Sequence, residues 1–424
     1  MTPWRATKDF TVAVVGGGVC GLACAIALAK EGVHVDVYET TTKFKEIGAG
    51  IGLGPNAVRV LRELGVWEDV HAASGEADLN MRVFRYISGL SDHEIFYDNI
   101  LASEDHGLGI ARFSLIDALL KHFDISRAHF NKRCINVSPS AANPSVQILT
   151  FTDGTTREAN VVIGADGIKS TIRSIITGRS VDADVAWSNT AAYRGLVQLR
   201  EAKAAGVKVD LAAGFWCFMG PEKHIVTFPI QGGNTINVVA FVTNGPEPIG
   251  LAKLPHGEPW VKTTPQSELL EAYDGWGHQV KGLLKCLHKP SKWSICAVHP
   301  HLPSYVKGNV ALIGDAAHAM LTHLGGGAGQ GLEDALLLAR LLGAPGTNVG
   351  NLERVLRIYD GLRRPRSQNI WDRSLRAGQV YEALGEHGFN TDGVRKDLAG
   401  IFIPVWHHKL QDDIQEGYKQ IRAL

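Results

Sequence analysis

The sequence predicts an α/β protein in which a Rossmann-like nucleotide-binding part is interleaved with a mostly antiparallel β part and closed by C-terminal helices. Three observations predict it. Gly16-x-Gly18-x-x-Gly21 stands between an apolar strand and an Ala/Leu-rich helix. Between Tyr193 and Val242, apolar strand-like runs follow one another with turn residues between them. From Leu352 to Leu424 the pattern is mainly helical. The 424 residues are enough for two or three domains.

The elements follow in order. Residues 11–15 read as a short buried strand, 19–30 as a helix closed by Gly32, and 33–38 as a second, alternating strand. Pro55 is a favoured first-turn residue for a helix with the stripe Ala57, Val60, Leu61 and Leu64, ended by Gly65. Strand character begins near Arg82. Ser114 with Asp117 resembles a capping box before Leu115, Leu119 and Leu120. Asp153-Gly154 signals a hairpin between 146–151 and 159–164. Residues 193–199, 214–219, 224–230 and 235–242 form the antiparallel run, with Gly232-Gly233-Asn234 as one turn. A Gly- and Pro-rich loop covers 244–264. Helices, a strand at 310–313 and a long helix from about Gly329 to Leu342 precede the helical remainder. No internal repeat or low-complexity tract is present.

Composition excludes several classes. The 43 Lys and Arg balance 43 Asp and Glu, which argues against a nucleic-acid partner. With 45% hydrophobic and 20% charged residues, extensive disorder is not expected. The six cysteines, Cys20, Cys24, Cys134, Cys217, Cys286 and Cys296, form no C-x-x-C pair; they read as reduced and mostly buried, with no metal site. The uncharged run 11–29 after Arg5 and Lys8 resembles a signal peptide or a membrane span. However, Gly16, Gly17 and Gly18 break it, and it divides into strand, turn and helix. Arg422-Ala423-Leu424 is not a peroxisomal address. A cytoplasmic protein without a membrane partner is expected, as a monomer or homodimer.

The glycine motif carries the first chemistry. Gly16 permits a tight turn, Gly18 lets the backbone approach a pyrophosphate, and Gly21 permits close helix–strand packing; the helix N-terminus offers N–H groups and positive dipole. Glu39 ends the second strand, where a carboxylate accepts ribose hydroxyls. Gly52-x-Gly54-x-x-Ala57 also fits the relaxed fingerprint, but no strand precedes it and Pro55 sits inside it, so one dinucleotide fold is expected. Two further turns follow buried strands: Gly164-Ala165-Asp166-Gly167 and Gly314-Asp315-Ala316-Ala317-His318. An Asp in such a turn is placed to bond a ligand's sugar hydroxyls.

These three motifs, in this order, resemble the single-component, FAD-dependent aromatic hydroxylases, the group that includes salicylate hydroxylase and 4-hydroxybenzoate hydroxylases. Supporting matches are Glu46-Ile47-Gly48-Ala49-Gly50, Arg112 before a helix, Tyr193-Arg194-Gly195, and Tyr359 with Arg363-Arg364-Pro365-Arg366; the resemblance spans about Thr11 to Arg366. It implies that Gly16, Gly18 and Gly21 hold the FAD pyrophosphate with Glu39 on the ribose. Gly50, and Arg112 at the phosphate or ribityl region, would also bind the cofactor. Asp166 and Gly167 would sit near FAD and a transient NADH or NADPH, and Gly314 and Asp315 at the ribityl chain. Gly327, Ala328 and Gly329 would turn N–H groups toward the isoalloxazine. It further implies FAD-binding parts at 1–80, 105–182 and 291–366, substrate-domain parts at 81–104 and 183–290, and C-terminal helices at 367–424. Thr322 stands where the family commonly has Pro, and Phe228 where it often has Tyr.

The implied reaction is monooxygenation of a phenolic acid, salicylate-like, with NAD(P)H and O₂ through a flavin C4a-hydroperoxide. If the attacked carbon bears a carboxylate, CO₂ is lost. Arg194 is the substrate-side candidate, since a buried guanidinium suits a carboxylate or phenolate. Phe228 and Tyr193 are the other substrate-side candidates. His224 and His323 compete as the catalytic base. His318 reads as packing near the cofactor loop. Phe215, Trp216 and Phe218 read first as core packing. An epoxidase or halogenase is an alternative, although no W-x-W-x-x-P string occurs. A non-catalytic flavin-binding redox sensor is another, opposed by the large β insertion.

Overall fold

The computed structural model describes residues 7–44, 50–75, 84–90, 93–99, 105, 107–245, 247–254 and 257–424. Glu46 to Ala49 of the supporting motif lie outside them. Along the chain, β1 (Thr11–Val15), α1 (Val19–Lys30) and β2 (His34–Tyr38) are followed by β3 (Val161–Gly164). Next come β4 (Val185–Gln198), β5 (Phe215–Gly220), β6 (Lys223–Ile230) and β7 (Thr235–Thr243). Then come β8 (Val310–Leu312), α2 (Gly326–Gly343) and the 30-residue α3 (Leu352–Tyr381).

Two sheets organise the molecule. The first has six strands in the spatial order Val306–Lys307, β8, β3, β1, β2, Ala128–His129, and only its edge pair is antiparallel. Buried on both faces, β1 and β3 are almost wholly apolar, as a parallel sheet requires. The second has eight strands in the order Val261–Thr263, Ser291–Val298, β4, β7, β6, β5, Phe84–Ser88, Ile95–Asn99, antiparallel except where β5 meets Phe84–Ser88. A first core gathers around α1, β1, β2 and α2; a second lies under one face of the eight-stranded sheet, covered by Gln266–Ala272 and His278–Lys285. Among the described residues no helix is long and apolar enough to cross a membrane.

Several local expectations change. The Asp153-Gly154 hairpin joins Gln147–Phe151 to Thr156–Ala159, not to the whole of 159–164. Beyond it, β3 leaves for the other sheet, and Asn160 marks the crossing by accepting the Thr11 N–H through Oδ1 at 2.9 Å. The helix Arg112–Leu120 begins after Ala111 with no side-chain cap, so Ser114 lies in its first turn and makes no capping box. β4 starts eight residues before the predicted strand. A bulge between Trp187 and Thr190 breaks its alternation, which hides it from pattern reading. Ser291–Val298 is a further strand without a sequence signature, because its mostly half-buried residues give no clean period. α2 begins at Gly326, not Gly329, because glycines of poor helix propensity form its first turn. The boundary predicted at 366/367 falls inside α3.

Candidate active site

The glycines of the first motif divide their work. A β-carbon on Gly16 would stand 2.4 Å from the Ala165 carbonyl oxygen, and the residue has φ +105°. One on Gly21 would stand 2.0 Å from the Gly16 oxygen. Both positions are closed by the protein itself. Gly18 differs, since a β-carbon there meets nothing within 4 Å. It faces an open groove at the N-terminus of α1, where N–H groups favour an anion. Glu39 braces this turn: Oε2 accepts the Gly17 N–H and Oε1 the Thr41 N–H, each at 2.8 Å. A carboxylate has further lone pairs for ribose hydroxyls.

The groove continues into a cavity of about 360 Å³ whose wall includes Gly18, Gly50, Arg112, Gly167 and Asp315. Asp166 is adjacent, but its carboxylate turns away. Oδ1 accepts from Ser170 Oγ at 2.5 Å and Oδ2 from the Thr171 N–H at 2.7 Å, at the start of the helix Thr171–Thr177. Burial pushes its pKa up against these bonds. Asp315 does reach the wall. At the start of α2, Gly325 has φ +59°, and Gly325, Gly327 and Ala328 line the cavity. Gly329 does not. A β-carbon there would stand 2.7 Å from Asn56 Nδ2, so this glycine serves packing.

Gly314 is held from behind. Its N–H donates to Asp334 Oδ2 at 2.9 Å; the same oxygen meets His318 Nε2 at 2.6 Å, and Oδ1 accepts from Arg363 Nε at 2.7 Å. Arg363 also pairs with Glu333 at 2.8 Å, which Arg366 and Asn56 each reach at 2.7 Å. Glu333, Asp334 and Arg363 are all within 1% of full burial. Sequence reasoning missed the two carboxylates. The available signal was a pair of adjacent acids inside the Leu/Ala-rich helix α2, which need cations from elsewhere.

The eight-stranded sheet supplies the other wall. Its period of two turns Arg194, Phe215, Phe228 and Phe241 to the cavity, with Val226 and Val239. Phe215 stacks on Phe84 (5.7 Å between centroids) and on Phe228 (5.3 Å). Trp216 and Phe218 turn to the second core, so the expectation of core packing holds for them and fails for Phe215. Tyr193 likewise faces the second core, where its hydroxyl donates to Glu268 at 2.8 Å; it is not on the substrate-side wall. Among the described residues, Arg194 is the cation that the sheet places on the wall. It lies 5.2 Å from the Trp293 ring centroid, and its Nε is buried without a hydrogen-bond partner. Burial, and then the nearby Arg112, pull its pKa down.

The two candidate bases lie side by side. His323 lines the cavity, and its Nδ1 is 3.3 Å from Nε2 of His224, which is fully buried. Behind them, Glu382 accepts from His224 Nδ1 at 3.1 Å, a contact no motif announced. Burial, and then His224, push the His323 pKa well down. Thr322 stands beside them on the wall. All six cysteines are free, four of them buried.

The open cradle at Gly18, the glycine N-terminus of α2 and a guanidinium whose buried Nε lacks a partner beside aromatic rings fit a flavin dinucleotide with an anionic ring compound next to it. Residues 9–221 and 284–374 match the family described as FAD binding domain. A salicylate hydroxylase of Pseudomonas putida is 38% identical over 414 residues, covering 96% of this chain and 94% of its own length. A 6-methylsalicylate 1-monooxygenase of Aspergillus terreus is 33% identical over 372 residues, covering 85% and 80%. A solved salicylate hydroxylase substrate complex superposes with a TM-score of 0.85 at 33% identity, covering 97% of this chain and 98% of that one.

Proposed function

The chain belongs to the FAD binding domain family and is a flavin-dependent aromatic monooxygenase, and on that premise we propose that its substrate is a phenolic acid of the salicylate kind. When bound, FAD reduced by NADH or NADPH supplies, with O₂, the electrophilic oxygen atom. Everything else falls to the protein's own groups. Arg194 binds the carboxylate, for which a planar guanidinium has matching geometry. Phe215, Phe228 and Phe241 hold the ring and exclude water, together with Met320 and Leu321, which also line the cavity. The N–H groups at the start of α2 favour negative charge on the reduced cofactor. Gly18, Glu39, Arg112 and Asp315 hold its pyrophosphate and sugar parts.

An ionised phenol is richer in electrons at its ortho and para carbons, so a base at the ring's hydroxyl speeds attack. His323 is the base on the cavity wall. Attack at the carbon bearing the carboxylate ends in loss of CO₂. The same reading keeps the six-segment division into cofactor and substrate parts, with its last boundary moved out of α3, and a cytoplasmic monomer or homodimer.

The observation that carries the proposal is the buried, unpartnered Arg194 Nε on an aromatic-walled cavity. The test is NAD(P)H oxidation by the flavin-loaded protein with a panel of phenolic acids, with product mass. Salicylate should stimulate oxidation and yield a product that has gained oxygen, with or without loss of the carboxyl. FAD-loaded protein that no phenolic acid stimulates would end the proposal.

A further inference from the structure

Glu382 lies just past the end of α3, outside every motif of the cofactor site, and its side chain is 7% exposed. A carboxylate so buried needs partners. Among the described residues its side-chain partners are two: His224 Nδ1 at 3.1 Å and Thr243 Oγ, which donates to Oε1 at 2.9 Å. Thr243 is half-buried and meets Thr190 Oγ at 2.8 Å. On the other side, His224 Nε2 faces His323 Nδ1 at 3.3 Å, and His323 borders the cavity. A continuous line of proton-bearing atoms therefore runs from the cavity through two imidazoles to a carboxylate beside a half-buried threonine.

We propose that Glu382, His224 and His323 form a relay that takes the hydroxyl proton of the bound phenol out of the cavity, with Glu382 setting the tautomers of both histidines. This rests on the hydroxylase reading above. The carboxylate accepts from His224 Nδ1–H, which leaves a lone pair on Nε2. That lone pair accepts from His323 Nδ1–H, which leaves the second ring nitrogen of His323 free to accept. The phenol O–H bond breaks and its proton goes to His323. The Nδ1 proton of His323 passes to His224 Nε2, and the Nδ1 proton of His224 passes to Glu382. Phenol plus carboxylate becomes phenolate plus carboxylic acid; no electrons are exchanged.

The surroundings suit transfer better than storage. His224 stacks on Phe241 at 4.4 Å, and Tyr381 stands 5.4 Å away. Tyr273 donates to the His224 carbonyl at 3.0 Å, Tyr86 meets Tyr381 at 3.2 Å, and the Cys217 thiol is kept neutral by burial and then by Glu382. None of these neighbours is a cation. Burial and then His224 hold the His323 pKa down, so a proton arriving there is passed on.

The experiment uses the FAD-loaded full chain and a nitro-substituted 2-hydroxybenzoate, whose phenolate absorbs in the visible. Glu382→Gln keeps an oxygen for His224 but cannot take up the proton. In the wild type the bound probe should ionise at a pH about one unit lower than in Glu382→Gln, a tenfold effect. Turnover of salicylate should fall by at least about tenfold, with KM, FAD content and thermal unfolding little changed. His224→Gln should displace the probe's titration similarly, and the double variant should add little, as for residues acting in series. If Glu382→Gln does not fold, His224→Gln decides alone. Wild-type titration of the probe in the folded variants overturns the relay while leaving the hydroxylase reading intact. A wild type that neither binds the probe nor responds to salicylate overturns both.

Discussion

Gly378 of α3 leaves room for the imidazole of His323: a β-carbon at 378 would stand 2.5 Å from Cδ2 and 2.6 Å from Nε2. The ring that borders the cavity is thus positioned by the absence of a side chain on the helix behind it. In Gly378→Ala the imidazole is pushed off its position. Overpacking of this kind costs about 1–3 kcal/mol of stability, and kcat should fall more than FAD binding does. Unfolding curves and flavin content, measured beside kcat, separate the two effects; unchanged kcat in a folded variant contradicts the assignment.

Arg194 should govern affinity for the acid. Removing a charged hydrogen bond costs about 1.5–3 kcal/mol, so Arg194→Ala should weaken binding of salicylate by roughly 10- to 150-fold. Arg194→Lys should recover only part of this, because an ammonium lacks the planar fork. Quenching of flavin fluorescence on titration with salicylate gives the affinities directly. Equal affinity in all three proteins would place the carboxylate elsewhere.

Gly18 and Gly21 should respond oppositely to a methyl group. Gly18→Ala meets open space in the protein, so its fold should survive while FAD binding weakens. Gly21→Ala drives a methyl onto the Gly16 oxygen and should destabilise the protein even without cofactor. Thermal unfolding of the apoproteins, followed by FAD titration, tests the contrast; destabilisation of both apoproteins alike would refute it.

Asp334 links the cofactor loop to acid stability. Burial alone raises its pKa, but His318 and Arg363, with the hydrogen bonds from His318 and Gly314, outweigh that and hold it at about 2. A folded-state value below the ordinary one of about 4 means that the stabilisation is fully present above about pH 4 and is lost as pH falls toward 2. Asp334→Asn should lose about 3–5 kcal/mol at pH 7, as expected when one partner of a buried pair is removed. Between pH 4 and 2 its stability should then fall less steeply than that of the wild type. Denaturant unfolding at several pH values checks this, and parallel slopes would exclude Asp334 as the cause.

The parts legible in the sequence are those with a local signature. β1, α1 and β2 announce themselves because strand, glycine turn and helix are contiguous, and Asp315 follows a buried strand as expected. Arg194 was legible as a cation within an apolar strand. Period two also assigns Tyr193 to the opposite face from Arg194, which the motif Tyr193-Arg194-Gly195 alone did not. Glu382 was not legible, because it meets His224 across 158 residues and belongs to no repeating pattern. Asp166 carried a signal that pointed past its actual partners, since an Asp that caps its own helix and one that binds a ligand have the same sequence environment.

The single helix α3 spans about 45 Å at 1.5 Å per residue. One stretch of it carries Arg363 and Arg366, clasped to the acids behind the cofactor loop; its far end carries Gly378 and Tyr381 and leads into Glu382. The brace behind the Gly314 turn and the wall behind the His323 ring therefore belong to one helix. A substitution that displaces this helix should disturb the turn at Gly314 and the ring of His323 together.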